Sequence, residues 1–196
     1  MDVSYNNSPS DDEEARFSAM PERTLPNILV TGTPGTGKTS TAEMVAQLTS
    51  FEHMEIGKLV REQQLHDGYL EEYDSLDLNE DKLLDYLEEE LRDGGKVVDF
   101  HGSDLFPEDW FDLVVVLRTN NTLLYDRLQG RGYTESKVQE NIECEIFQEC
   151  LEEARSQFPE EMIVELVSET ADQMESNAER IQQWAEAFMA KSKASP

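Results

Sequence analysis

Short runs of apolar residues alternate along this chain with longer segments in which apolar positions recur every three or four residues. Val97-Val98 and Val114-Val115-Val116 are continuous β-branched runs without polar alternation, which is typical of strands buried on both faces of a parallel sheet. The longer segments have the spacing of amphipathic helices. This alternation predicts an α/β domain. The predicted strands are 27–32, 52–56, 96–100, 113–117 and 162–166, and the predicted helices follow Lys38 and cover 58–65, 79–92, 122–129, 134–158 and 172–190.

The two ends of the chain lack this periodicity. Residues 1–24 join a polar segment to the acidic run Asp11-Asp12-Glu13-Glu14, and such a segment cannot bury enough apolar area to offset the entropy of ordering. A length of 196 residues with 38% hydrophobic content suits one domain with a substantial core. We therefore expect a disordered acidic tail at 1–24, one folded domain at 25–190 and a frayed terminus at 191–196.

Residues 32–40 read GTPGTGKTS and match the P-loop pattern of Gly, any four residues, Gly, Lys, and Ser or Thr. The glycines let backbone N–H groups approach an anion, and the helix that opens at Lys38 adds its positive dipole end. We expect Lys38 on the β- and γ-phosphates of a nucleoside triphosphate, Thr39 on Mg²⁺, and Ser40 beside the α-phosphate. The alternative, a glycine turn that only joins a strand to a helix, requires a chance match to the whole motif.

The carboxyl end of the third predicted strand carries two further candidates. Ligands in α/β sheets bind beyond the carboxyl ends of the strands. Asp99 in this position can hold Mg²⁺ or its water shell opposite Thr39, the Walker B role, or it can cap a loop. His101 points the same way from an extended segment, so it can orient or deprotonate a water that attacks the γ-phosphate. Its alternative is a loop histidine bonded to a backbone carbonyl.

Basic residues are scarce, because the chain has 43 acidic and 16 basic residues and a formal net charge of -27. Gly130 and Gly132 flank Arg131, and such a segment can hinge so that the arginine covers a bound triphosphate as part of a lid. For each arginine, a surface ion pair is an equally good interpretation. The basic residues considered as phosphate ligands all lie between the P-loop and Tyr133: Lys38, Lys58, Arg61, Arg118, Arg127 and Arg131.

The net charge and the cysteines limit the partners and the compartment. A phosphate backbone would be repelled, so direct high-affinity binding of RNA or DNA is not expected. The acidity either keeps the protein dispersed or forms a face for a basic protein partner.

Cys144 and Cys150 point to different faces of one predicted helix, which indicates reduced thiols. No apolar run reaches the length of a membrane span and no secretory signal is evident, so we expect a protein of the nucleus or cytoplasm.

Several longer strings resemble the adenylate kinase isoenzyme 6 family, also called the coilin-interacting nuclear ATPase proteins. The resemblance extends from residue 25 to about residue 184. Its strings are GTPGTGKTS at 32–40, DGY at 67–69 with EEYD at 71–74, VDFHG at 98–102, FPE at 106–108 with WF at 110–111, LRT at 117–119, RGY at 131–133 and CEIFQ at 144–148. These strings are specific to the family.

The resemblance implies a P-loop NTPase fold of the nucleoside monophosphate kinase type, with a five-stranded parallel sheet flanked by helices. It also implies a monophosphate-binding segment near 55–78 and a short lid near 130–140. The implied activities are conversion of ATP and AMP to two ADP with Mg²⁺, a slower ATPase, and a role in small ribosomal subunit maturation, including 18S rRNA processing. The implied partners are a basic small-subunit ribosomal protein and pre-ribosomal particles, for a monomer in nucleus and cytoplasm.

Position by position, the resemblance assigns the catalytic set to Lys38, Asp99, His101 and Arg131. It places Arg61 on the AMP phosphate. Two positions depart from the family pattern: Lys58 stands where an aspartate is common, and Thr170 stands where an adenine-contacting lysine is expected, although a backbone contact can survive there. The implied ATP ligands are Gly35, Thr36, Gly37, Lys38, Thr39, Ser40, Arg131 and Thr170.

Three functions therefore compete. The first is a nucleoside monophosphate kinase. The second is an assembly ATPase whose nucleotide state gates release of a basic ribosomal protein, with kinase activity secondary. The third is a kinase of another small hydroxyl substrate, for which the sequence carries no recognisable pocket signature.

Overall fold

The computed structural model describes residues 20–21, 23–70 and 75–193 of the chain. Among these residues, no helix combines the length and the apolar character needed to cross a bilayer. The strands are β1 (Ile28–Thr31), β2 (Glu52–Glu55), β3 (His66–Leu70), β4 (Ser75–Leu78), β5 (Lys96–Asp99), β6 (Leu113–Arg118) and β7 (Ile163–Val167). The helices are α1 (Lys38–Thr49), α2 (Ile56–Glu62), α3 (Glu80–Leu91), α4 (Asn121–Gly130), α5 (Glu135–Phe147), α6 (Glu149–Gln157) and α7 (Ala171–Ser192), with short 3₁₀ turns at Glu108–Trp110 and Glu160–Met162.

Five strands form one parallel sheet in the order β2-β5-β1-β6-β7. The central strand β1 is fully buried. Its residue Leu29 packs in a cluster with α3 and α6, whereas Ile28 and Val30 pack in a second cluster with α1 and α7. Both faces of the sheet are therefore covered by helices, which accounts for the continuous β-branched runs. The predicted fold class, a five-stranded parallel sheet flanked by helices, is confirmed.

The predicted helix at 134–158 is instead two helices, α5 and α6. The chain turns at Gln148, whose φ of 60° is left-handed, and Gln148 both ends α5 and begins α6. The backbone N–H of Gln148 bonds the carbonyl of Glu145, and its own carbonyl accepts from Leu151. Apolar periodicity continues through this break, so the sequence pattern did not reveal it.

A two-stranded antiparallel hairpin, β3 and β4, was not predicted. It lies in the segment that was expected to bind a monophosphate, and the string at 71–74 lies outside the described residues. The hairpin is short and contains Asp67 and Gly68, which are poor strand formers. Asp67 accepts hydrogen bonds from Asn79 and Lys82 at 2.8 Å each, so its carboxylate ties the hairpin to the start of α3.

The predicted tail lies mostly outside the described residues, and so do residues 194–196 of the expected frayed end. Met20 and Arg23 are described, and both contact the body of the domain. The Met20 N–H donates to Asp109 at 2.8 Å, and Arg23 pairs with Asp112 at 3.1 Å. The described fold thus begins before the predicted boundary at residue 25.

Candidate active site

The P-loop connects β1 to α1 at the carboxyl end of the central strand. Thr36 closes the turn, because both its backbone N–H and its hydroxyl donate to the carbonyl of Thr33, at 3.2 and 2.8 Å. Gly37 has a φ of 95° and forms the N-cap of α1, without a side-chain cap. The first N–H groups of this helix therefore have no side-chain acceptor at the cap, which suits an anion ligand.

Two glycines of the loop are also required by packing. A Cβ at Gly35 would lie 2.7 Å from a methyl carbon of Leu124 in α4, and one at Gly32 would lie 2.5 Å from the Leu117 carbonyl of β6. Both have positive φ, at 98° and 139°. The loop is thus held between α4 and the end of β6, and not only shaped for phosphate.

The ammonium of Lys38 turns back onto the loop. Its Nζ donates to the carbonyls of Gly32 at 2.7 Å and Thr33 at 3.3 Å. Burial lowers the pKa of Lys38, and the nearby carboxylate of Asp99 opposes that shift. A desolvated ammonium in this position gains free energy when anionic oxygens approach it. Lys38 therefore occupies the position expected of a phosphate ligand.

Asp99 ends β5, next to the P-loop strand, and is 4% exposed. Its Oδ2 is buried and has no hydrogen-bond partner among the described residues. A buried carboxylate oxygen of this kind needs a cation or a donor. The Asp99 carboxylate and the Thr39 hydroxyl at the start of α1 together carry the hard oxygen ligands that Mg²⁺ prefers, so the donor set fits this ion.

The described residues contain no group of three or more His, Cys, Asp or Glu side chains placed to hold a metal.

His101 follows β5 and is fixed through its backbone. Its carbonyl accepts from the Thr31 hydroxyl at 2.9 Å, and its ring lies 4.5 Å from the ring of Phe100. Although the residue as a whole is exposed, loss of solvent around the ring and the charge of Lys38 lower the pKa of His101. The imidazole is therefore predominantly neutral at pH 7 and can accept a proton.

Arg131 and Arg61 are both exposed and lie at helix ends. Arg131 forms the C-cap of α4, and Arg61 lies in the last turn of α2. Burial is the main cause of the lowered pKa of Arg127, and the positive charge of Arg131 is the second cause. The same charge also lowers the pKa of Lys38. The charge of Arg131 therefore reaches the P-loop. The assignment of Arg61 to a monophosphate stays a prediction.

Thr170 forms the N-cap of α7 in a capping box with Gln173. Its N–H donates to the Gln173 side chain at 3.2 Å and its carbonyl accepts from Met174 at 3.1 Å. Both backbone groups thus serve the helix start, and the predicted adenine contact stays a prediction.

Arg127 is a site residue whose role the sequence did not indicate. Its guanidinium donates to three backbone carbonyls in two segments, Gly35 at 3.1 Å, and the neighbours Ser168 at 3.1 Å and Glu169 at 2.8 Å. The side chain therefore joins the P-loop to the residues that follow β7. In the sequence, only its place among the few basic residues pointed to a role. Its hydrogen-bond acceptors are backbone carbonyls, which every residue has, so the sequence does not identify them.

Glu145 of α5 is a second unassigned residue, and it is 3% exposed. Its carboxylate accepts from the Thr33 hydroxyl, from Arg118 Nε at 2.7 Å and from the Thr119 N–H at 3.1 Å. These contacts link the P-loop, β6 and α5 through one buried anion. The string CEIFQ contained this residue, but nothing in the sequence identified its partners.

The fold and the site together define a P-loop kinase. A model of the AAA domain family matches residues 28–148. An adenylate kinase isoenzyme 6 homolog of Schizosaccharomyces pombe is 53% identical over 83% of this chain and 93% of its own length. The homolog of Caenorhabditis elegans is 54% identical over 87% of this chain and 95% of its own length. The chain belongs to the adenylate kinase isoenzyme 6 family.

Solved structures agree on the fold. Shikimate kinase from Bacteroides thetaiotaomicron superimposes with a TM-score of 0.57, at 16% identity, over 83% of this chain and 99% of that chain. At this identity the likeness describes the fold alone and says nothing about the substrate.

Proposed function

We propose that this protein is a nucleoside monophosphate kinase that converts ATP and AMP to two ADP, with a slower ATPase activity. The observation that carries the proposal is the arrangement of Lys38 and Asp99. A desolvated ammonium in the P-loop lies within electrostatic reach of a buried carboxylate that ends the neighbouring strand. Family membership supports the same reaction class.

In the proposed reaction the protein positions the two nucleotides and neutralises charge. The P-loop amides and Lys38 hold the ATP phosphates. Thr39 and Asp99 are the residues that would hold Mg²⁺, which neutralises charge on the β- and γ-phosphate oxygens when bound. Arg61 orients the AMP phosphate for attack, and Arg131 covers the transferred group.

His101 is proposed to act when no AMP is bound. Its neutral ring can then orient a water or take a proton from it as the water attacks the γ-phosphate. Transfer to AMP does not need this proton acceptor, because the attacking phosphate oxygen is already anionic.

Removal of the P-loop ammonium tests the proposal. Lys38→Ala is expected to lower both AMP phosphorylation and ATP hydrolysis by a factor of at least about 10² to 10³, the usual loss for one electrostatic ligand of a transition state. Lys191→Ala removes an exposed lysine of α7 and serves as the control with unchanged rates. Retained activity in Lys38→Ala would overturn the P-loop assignment.

A second candidate function is an assembly ATPase that releases a basic small-subunit ribosomal protein in a nucleotide-dependent manner. The net charge of -27 favours it. Locally, burial and the nearby charges of Asp104 and Glu149 raise the pKa of Glu153 to about 7. A basic side chain would relieve this repulsion. On this proposal the protein acts on pre-ribosomal particles in nucleus and cytoplasm.

Retention on an immobilised basic small-subunit ribosomal protein tests the second candidate. Binding is expected to depend on ATP and to fall steeply as the salt concentration rises, because exposed charges are screened. Retention that is insensitive to both salt and nucleotide would contradict it.

A further inference from the structure

His53 of the edge strand β2 faces the carboxylate of Asp99 on the neighbouring strand β5. The two strands are parallel, with His53 opposite Val97 and Glu55 opposite Asp99. Alternate residues of a strand share a face, so Asp99 lies on the same face as Val97, the face covered by α1. The imidazole Nε2 is 3.9 Å from Asp99 Oδ2, and the side chains are 17% and 4% exposed.

Both of these atoms are buried, and neither has a hydrogen-bond partner among the described residues. A buried polar atom left unpaired costs about 1–3 kcal/mol. The two unpaired atoms are chemically complementary, because an imidazole N–H donates and a carboxylate oxygen accepts. A gap of 3.9 Å exceeds a hydrogen bond, and a shift of about 1 Å closes it.

The position of His53 allows such a shift. His53 lines a surface groove together with Glu43, Ala46 and Gln47 of α1 and with Phe51, the residue before β2. With 17% of its surface exposed, the His53 side chain is not enclosed on all sides, which allows a small rotation toward Asp99. Substitutions at an edge strand with a partly exposed side chain are also tolerated better than substitutions in the central strands.

We infer that His53 is a positioning residue for Asp99. Its Nε2–H binds Oδ2 and fixes the orientation of the carboxylate, which leaves the other oxygen for the metal-bound nucleotide. The inference rests on the proposed function, because it takes Asp99 as the Mg²⁺ ligand. Partners of this kind orient metal ligands and commonly change metal affinity by about 10- to 100-fold.

The test compares His53→Phe, which removes both ring nitrogens, with His53→Gln, whose amide can place an N–H near the position of Nε2. Mn²⁺ affinity of the protein–ATP complex is measured by EPR titration, without turnover. His53→Phe is expected to weaken Mn²⁺ binding about tenfold, and His53→Gln to restore most of it. Met54→Leu, the neighbouring buried position on β2, is the control with unchanged affinity.

Two further variants address a folding failure and separate the positioning role of His53 from the metal role of Asp99. If His53→Phe does not fold, His53→Asn takes its place, since its shorter amide does not reach Asp99 and the same loss is expected. Asp99→Asn separates the two levels of the claim. Reduced affinity in Asp99→Asn with normal affinity in the His53 variants overturns the positioning role alone. Normal affinity in Asp99→Asn overturns the metal role of Asp99 and the inference with it.

Discussion

His101 is held through its backbone at Thr31, the last residue of the strand that leads into the P-loop. The Thr31 hydroxyl bonds its carbonyl, and Phe100 packs against its ring. The lowered pKa keeps the imidazole neutral, as a proton acceptor must be. These features agree with the predicted role and do not by themselves distinguish hydrolysis from phosphoryl transfer to AMP.

Replacement of His101 makes that distinction. His101→Ala is expected to lower ATP hydrolysis by about 10²-fold, the lower range for loss of a general base, and AMP phosphorylation by much less. Both rates are measured on the same preparation, phosphate release with ATP alone and AMP consumption with ATP plus AMP. Equal losses in the two assays would remove the assignment of His101 to water activation.

Among individual residues, the sequence predicted those that belong to local motifs and missed those whose roles depend on tertiary contacts. Lys38 and Asp99 follow from the P-loop and from the end of a buried strand. The partners of Arg127 are backbone carbonyls. Those of Glu145 and His53 are distant in the sequence, so they can be identified only when the tertiary structure is known.

Among the structural elements, α5 is linked to the P-loop by the hydrogen bond between Thr33 and Glu145. Arg118 and the Thr119 N–H hold the same carboxylate. Residues 130–140, the predicted lid, include the start of α5, so the helix that leads away from the lid is anchored beside the phosphate site. The segment of the predicted lid is therefore joined to the P-loop through one helix.

Thr33→Val tests this link because it removes the hydroxyl and keeps the side-chain shape. Loss of a hydrogen bond to a charged group costs about 1.5–3 kcal/mol, so we expect the KM for ATP to rise roughly tenfold and the melting temperature to fall. Thr33→Ser retains the hydroxyl and should restore both values. A valine variant with wild-type KM and melting temperature would show that the link has no role in nucleotide binding.

Buried strands were predicted more accurately than short, half-exposed ones. The buried parallel strands were located, because a continuous β-branched run suits a strand that is covered on both faces and is unusual in an exposed segment. The break at Gln148 was missed because a left-handed residue that is not glycine leaves no sequence signal. The hairpin β3–β4 was missed because its strands are short, half-exposed and contain Asp67 and Gly68.

The whole molecule combines a strongly acidic composition with a basic site. Against a net charge of -27, the charge of Arg131 acts on both Lys38 and Arg127 at the carboxyl end of the sheet. A local positive potential in an acidic protein favours a small anionic ligand and disfavours a long polyanion. This distribution supports nucleotide binding, and it leaves the acidic surface available to a basic partner.

In the proposed function, AMP is the phosphoryl acceptor. The direct measurement is ³¹P NMR of the wild-type protein with Mg²⁺ and ATP, in the presence and absence of AMP. We expect AMP to be consumed with two ADP formed per AMP, at a rate well above phosphate release from ATP alone. If AMP remains unconsumed while phosphate accumulates at an unchanged rate, the protein is an ATPase and not an AMP kinase.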